Sequence, residues 1–361
     1  MTGQDRSLAL QAQVLAAYSQ GNALTIQGGN SKTWYGNHLN SIQGETLFLA
    51  EHSGILNYEP SELVITARAG TRLSDIEASL TAEKQCLAFE PPHFAATATL
   101  GGTIACNFSG SARPYLGAAR DFVLGCKLLN GKGEILQFGG QVMKNVAGYD
   151  VSRLMAGALG TLGVLLEISL RVLPKPETEL TLVKALTAKE LLQQANAYAR
   201  LPLPLTACAY VNGQAYLRLS GSAGSVKQAA TLIGGEALLE PESFWLSLRE
   251  QQLRFFQTEQ ALWRLSVPAD TGVLALEGET IYDWGGALCW LVSDLDPSII
   301  REAVSQVGGH ASLFRPSTRQ TQTTTNSFQP LSPELLRYHR KLKQAFDPKG
   351  ILNPNRLYNG L

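Results

Sequence analysis

Three glycine-rich stretches carry the residue types and spacing from which ligand chemistry could be built. Gly28-Gly29-Asn30-Ser31-Lys32 follows an apolar run. Small residues in succession after a strand expose several backbone N–H groups in a concave turn, which suits a pyrophosphate. A tight turn between two strands would account for the same five residues. Neither GxxxxGK[ST] nor GxGxxG is present, so two common phosphate loops are excluded. The second stretch, Ala98 to Gly110, begins Ala-Thr-Leu-Gly-Gly and holds Asn107 and Ser109 inside an otherwise apolar run. Gly101 and Gly102 at a helix start would offer free N–H donors and no Cβ, letting a planar or phosphorylated ligand approach closely. A glycine-packed core helix explains the glycines but not the two polar residues. The third stretch runs from Lys144 to Val164, KNVAGYDVSRL…GALGTLGV, where a helix stops at Gly157 and a glycine-punctuated turn leads into a buried strand.

Candidates for proton transfer are few. The five histidines, His38, His52, His93, His310 and His339, are dispersed, with no HxH, HxxxH or HExxH spacing, so no local metal site is expected. His93, after Pro91-Pro92 and before the glycine pair, is the one His placed near these loops, although a single His more often has a structural or surface role. Tyr149, in the third stretch, is a second candidate base. The five cysteines are widely spaced and odd in number, which fits reduced thiols in a cytoplasmic protein and gives no iron–sulfur motif.

The elements that must position these loops follow from periodicity. Short strands are expected at Ala23–Gln27, Leu47–Ala50 and Leu63–Ala67, and a helix over Thr71–Leu80. Val123 to Phe138 reads as a hairpin turning at Asn130-Gly131-Lys132-Gly133, and Leu162–Leu173 as a long strand. The start of the chain, to Gln20, reads as an amphipathic helix rather than a signal peptide. Pro174-Lys175-Pro176 marks a domain boundary. We therefore expect a first domain over residues 1–175 and an α+β cap over 176–316. A mobile polar loop would follow over 317–330, then a helix and tail over 331–361. Thirty basic and thirty acidic residues cancel, which argues against nucleic-acid binding, and no apolar run is long enough to span a membrane.

The order of these pieces resembles the PCMH-type (vanillyl-alcohol-oxidase-like) FAD-binding domain of the FAD-linked oxidases. It runs from the Gly-Gly-Asn-Ser loop through Ala69-Gly70-Thr71 and ATLGG…N…SG to GYD…GTLGV, and FDPKGILNP near residue 350 is similar to that family's tail. KNVAGYD with this tail, in a chain of 361 residues, is most similar to the smaller flavin subunit of glycolate oxidases. The resemblance implies an α+β fold: an FAD-binding domain of two α+β subdomains, a smaller α+β cap and a tail returning to the flavin. It implies non-covalent FAD, because the covalent relatives carry a His in the first loop and here the nearest is His38. Gly28, Gly29, Asn30, Ser31 and Lys32 would cradle the pyrophosphate. Thr99, Gly101, Gly102, Asn107 and Gly110 would line the diphosphate–ribityl region. Gly160, Gly163 and Val164 would press backbone against the dinucleotide, and Asn353 would approach the ring.

One departure stands out. Related catalytic subunits read GSEGTLG where this chain has Gly157-Ala158-Leu159-Gly160, which removes possible hydrogen bonds to FAD. The HxxxxGDGNxH motif of the metal-dependent relatives is also absent. The resemblance thus implies a subunit of a 2-hydroxy-acid oxidase that is inactive alone. It would work with a larger flavin subunit and an iron–sulfur subunit, and contact a membrane only through them. A structural subunit with weak or no FAD, and a free-standing metal-free oxidoreductase using His93 or Tyr149, remain alternatives.

Overall fold

The computed structural model describes residues 3–37, 44–140, 149–319 and 326–361, the side chains of Tyr149 and Asp150 excepted. The chain forms two units. One comprises Met1–Ser109, Ala118–Lys175 and Pro330–Leu361; the other comprises Gly110–Gly117 and Pro176–Gln329.

In the first unit, helix α1 (Ser7–Gln20) buries Leu10, Val14 and Ala17, a stripe at helical spacing. Leu8 and Leu15, apolar in the sequence, face outward instead. Strands β1 (Leu24–Gln27) and β2 (Glu45–Phe48) pair in parallel. Next come β3 (Ile55–Glu59), β4 (Val64–Arg68), α2 (Leu73–Ala82), β5 (Gln85–Cys86) and α3 (Leu100–Cys106). The short helix α4 (Arg113–Leu116) falls in the second unit, and the first resumes with α5 (Ala119–Phe122), β6 (Val123–Leu129), β7 (Ile135–Gly139), α6 (Tyr149–Met155), β8 (Val164–Arg171) and β9 (Leu173–Pro174). A five-stranded antiparallel sheet is ordered β3-β4-β8-β6-β7. Strands β4, β6 and β8 are apolar almost throughout because both faces are covered. The β6–β7 turn forms because Asn130 Oδ1 accepts from the N–H groups of Lys132 and Glu134 at 2.9 and 3.0 Å, with Gly133 at φ +81°.

The second unit is one eight-stranded antiparallel sheet. Its strands are β10 (Thr178–Ala185), β11 (Leu205–Val211), β12 (Gln214–Gly221), β13 (Glu236–Ala237), β14 (Leu262–Ser266), β15 (Glu279–Asp283), β16 (Leu288–Val292) and β17 (His310–Arg315), in the order β13-β10-β12-β11-β15-β16-β14-β17. Helices α7 (Ala188–Tyr198), α8 (Ala223–Ile233) and α10 (Pro297–Gln306) bury apolar stripes in its two cores, and α9 (Pro241–Arg249) buries Trp245. Local sequence fixes these helix starts. Thr187 and Glu190 make a reciprocal capping box, and Asp296 caps the N–H of Ser298.

Gly110–Gly117 clusters with this second unit although it precedes the proline boundary. Trp284 Nε1 donates to Gly110 O at 2.9 Å, Ser111 Oγ to Asp283 at 2.9 Å, and the Arg113 guanidinium sits 4.2 Å over the Trp284 ring. The segment read as a mobile loop is tethered wherever it is described. Leu313 N donates to Ser327 O, Gln329 bridges Ala311 N and Ser305, and Ser317 Oγ donates to Glu259 O. Residues 320–325 of that segment lie outside the described residues. In the first unit, helix α11 (Pro333–Phe346) starts with Ser332 capping Leu335 N and Pro333 in the first turn.

Candidate functional site

The first unit encloses a cavity of about 470 Å³ walled by the loop after β1, the start of α3, the Ala158–Gly163 turn and the tail. Strand β1 is held on both edges. On one it pairs with β2; on the other Leu24 N donates to Ile351 O at 2.7 Å and Asn353 N to Leu24 O at 3.0 Å. The loop then turns into the cavity at Gly28. Two of its glycines are required sterically: a Cβ on Gly28 would meet the Thr99 hydroxyl, and one on Gly29 would strike the Thr97 carbonyl. Among the described residues, the N–H groups of Gly28, Gly29, Asn30 and Ser31 meet no acceptor. Four adjacent backbone donors at a cavity wall form a ready anion cradle.

At α3 the expectation of free donors fails. Its first four N–H groups are already used. Leu100 N donates to Thr71 O, Gly101 N to Ala69 O at 2.8 Å, Gly102 N to Thr99 Oγ1 at 3.4 Å and Thr103 N to Thr99 O. Gly101 is glycine because a Cβ would stand 2.7 Å from that of Ala69. The helix offers the cavity a close, smooth backbone rather than donors.

The opposite wall is strained and stapled. Leu159 takes φ +50°, a left-handed conformation that costs a non-glycine residue roughly 1–2 kcal/mol. Two partners fix it there: its N–H donates to Ala105 O at 3.0 Å, and its carbonyl accepts from Asn353 Nδ2 at 2.7 Å. Asn353 Oδ1 in turn accepts from Ile26 N at 2.8 Å. One amide side chain thus ties tail, β1 and turn together. Below it, buried Lys343 donates to Thr161 O and Leu352 O and pairs with Asp347 at 2.8 Å, and Asp347 accepts from the N–H groups of Ile351 and Leu352.

The cavity is electrostatically one-sided. Lys32 and Arg356 line it, and its described walls carry no Asp or Glu. Lys32 is buried, with Nζ at 3.2 Å from both Ser31 Oγ and His93 O. Cys106 also lines the wall; desolvation pushes its thiol up to about 11, against the pull of Lys32 and Arg356. A protonated thiol is a weak nucleophile.

The structure brings most of the expected residues together. Gly28, Gly29, Asn30, Ser31, Lys32, Thr99, Gly101, Gly102, Gly160, Gly163 and Asn353 all line this cavity. Three others do not. Asn107 caps α3 at φ +54°, its Oδ1 accepting from Arg120 N; Val164 is fully buried in the core; and Gly110 serves the second unit through Trp284. His93 is not in the wall, and its Nε2 lies 3.1 Å from Glu77. The Tyr149 side chain, His38 and Lys144–Gly148 lie outside the described residues. Arg356 was missed: a lone Arg after Asn-Pro-Asn reads as solvated surface, and nothing local points to its burial.

Comparison with known proteins bears on this geometry. Residues 7–139 match the family described as FAD binding domain, and residues 327–357 the C-terminal domain of FAD linked oxidases. Glycolate oxidase subunit GlcE of Escherichia coli (strain K12) is 46% identical to the chain over 98% of both proteins. The chain belongs to the GlcE family of FAD-linked oxidases. More distant relatives share only part of their length. D-lactate dehydrogenase of Anaerostipes hadrus is 34% identical over 39% of this chain and 29% of its own. Glycolate oxidase subunit GlcD of Bacillus subtilis (strain 168) is 30% identical over 48% and 36%. A solved structure of alkyldihydroxyacetonephosphate synthase shares the fold, with a TM-score of 0.66 over 96% of this chain and 75% of its own at 15% identity. As expected for the GlcE family, the fold is α+β and the cofactor is FAD. The residues fit that cofactor: the free N–H cradle and two cations suit its diphosphate, and the glycine-lined walls leave room for its flat rings.

Proposed function

We propose that this chain is the FAD-binding subunit of a multi-subunit glycolate (2-hydroxy acid) oxidase, holding FAD non-covalently in the loop cavity and supporting electron transfer within the complex. One observation carries the reading: Gly28 to Ser31, whose N–H groups meet no acceptor among the described residues, line with Lys32 and Arg356 a cavity whose described walls hold no carboxylate. In such a site Gly28 to Ser31 bind the diphosphate through backbone, and Lys32 supplies charge. Thr99, Gly101 and Gly102 lie along the cofactor, and Asn353 keeps the tail against it. Bound FAD supplies the capacity to take two electrons and release them to an acceptor. Cys106, which lines the wall, is a desolvated and weakly nucleophilic thiol, which supports non-covalent binding.

Substrate oxidation requires a cation for the carboxylate and a base for the hydroxyl proton. His93 faces Glu77 rather than the cavity, so we assign the hydroxy acid to a partner. That partner is a larger flavin subunit, with an iron–sulfur subunit as the next electron acceptor. Relatives named as two different subunits of glycolate oxidase support this assembly. We place it in the cytoplasm, reaching a membrane through its partners only. Among the described residues no helix is long and apolar enough to cross a membrane. The apolar Ala158-Leu159 wall favours a second reading, a structural subunit that holds FAD weakly or not at all.

The test is a visible spectrum of the purified chain after adding FAD and desalting. Flavin bands that survive, are not bleached by glycolate alone, and bleach once the larger subunit is added are the expected result. A colourless chain would favour the structural reading, and bleaching without a partner would favour a free-standing oxidoreductase.

A further inference from the structure

Arg356 enters the cavity on the tail, two residues after Pro354. Its Nη2 donates to Thr33 O at 2.7 Å and Lys32 O at 3.4 Å, so the guanidinium is seated against the end of the loop whose Gly28–Ser31 N–H groups meet no acceptor among the described residues. Gly36, at φ +94°, lets the backbone pass close by; a Cβ there would come 3.0 Å from Nε. Among the described residues Nε and Nη1 have no acceptor, and no carboxylate pairs with Arg356. Burial pushes its pKa down, with only the Cys106 thiol acting in the other direction.

A half-buried guanidinium beside a second cation, with no anion among the walls, is a costly arrangement in the empty protein. It becomes favourable when a ligand brings negative charge. The oxidised flavin ring is neutral, so the charge on FAD lies on its diphosphate. A guanidinium fork matches phosphate oxygens in shape as well as charge.

Building on the FAD reading above, we infer that Arg356 is a phosphate-recognising residue, gripping the diphosphate from the tail while the Gly28–Ser31 N–H groups grip it from the loop. The tail is then part of the binding surface and not only a brace. The site discriminates phosphorylated from unphosphorylated ligands through a residue some 325 positions from the loop, counting from Ser31 to Arg356.

The experiment compares FAD, ADP and riboflavin binding to the full chain and to Arg356→Gln and Arg356→Lys. Arg356→Gln should weaken FAD and ADP by about 10- to 100-fold, the range for one charge-assisted contact, and leave riboflavin within about threefold. Arg356→Lys should recover part of the loss. An equal loss for riboflavin, or no loss for ADP, would overturn the inference. A second measurement avoids variants that fail to fold: arginine-directed modification of the unaltered chain, mapped by mass spectrometry. ADP should protect Arg356 and riboflavin should not; equal modification with and without ADP overturns the proposal. An unaltered chain that binds neither FAD nor ADP would instead sink the FAD reading itself.

Discussion

Asn353 shows how much a single amide can settle. It is buried, and both ends of its side chain are engaged, by Ile26 N and by Leu159 O. Truncating it leaves a donor and an acceptor without partners and frees Leu159 to leave its left-handed conformation. Asn353→Ala should therefore lose about 2–3 kcal/mol of stability, seen as a lower urea midpoint with an unchanged slope. FAD affinity should fall with it. That the tail returns to the cavity was legible in advance, because FDPKGILNP is a recognisable run. The structural task of Asn353 was not, since neither Ile26 nor Leu159 is near it in sequence. Gly101 and Gly102 mislead in the opposite sense. A glycine pair at a helix start advertises free donors, but the hydroxyl of the N-cap Thr99 and the carbonyl of Ala69, more than 30 residues away, consume them.

At the scale of elements, the tail and α11 are joined by Lys343. Its ammonium reaches Thr161 O and Leu352 O and pairs with Asp347, whose side chain is fully buried. Removing the cation strands a carboxylate in the core, which costs about 3–5 kcal/mol. Lys343→Met should lower the unfolding midpoint accordingly, and amide exchange should speed up first in residues 347–356. A Lys343→Met/Asp347→Leu double variant should recover much of the loss, because no stranded charge remains; a double variant as unstable as the single one would refute this account. The α11 boundaries were readable from Ser332-Pro333 and the Asp347-Pro348 stop. Strands β3, β10, β15 and β17 were not: each mixes polar residues into a short segment, and only sheet pairing stabilises it. Helix α1 was placed correctly, but its inward stripe was not, because Leu8 and Leu15 are as apolar as the residues that do pack.

For the molecule as a whole, the two units have separate cores, and the candidate cofactor cavity belongs to the first alone. FAD at about a hundred times its dissociation constant should stabilise that unit by about 2.7 kcal/mol. Hydrogen exchange with and without FAD checks this. Protection should rise over Leu24–Lys32, Leu100–Cys106 and Ile351–Arg356, while Leu205–Gly221 should be unmoved. Protection spread evenly over both units would show that FAD acts elsewhere. The first unit's boundary after Lys175 was marked by its prolines. Its recruitment of Ala118–Lys175 without the preceding eight residues was not, because that division depends on Trp284 reaching back to Gly110.

The tail's place in the cavity also governs how the protein is made. Every other described wall of the cavity has left the ribosome once Leu165 emerges, but Arg356 lies 191 residues behind it, the difference between 356 and 165. At translation rates of about 5–20 residues per second, that is roughly 10–40 seconds during which β1 has one bare edge. During that interval the second unit is synthesised in full, and the nascent first unit presents an unpaired strand to whatever chaperone attends it. Completion of the candidate cofactor cavity is thus a late event in the life of this chain, timed by the arrival of its tail.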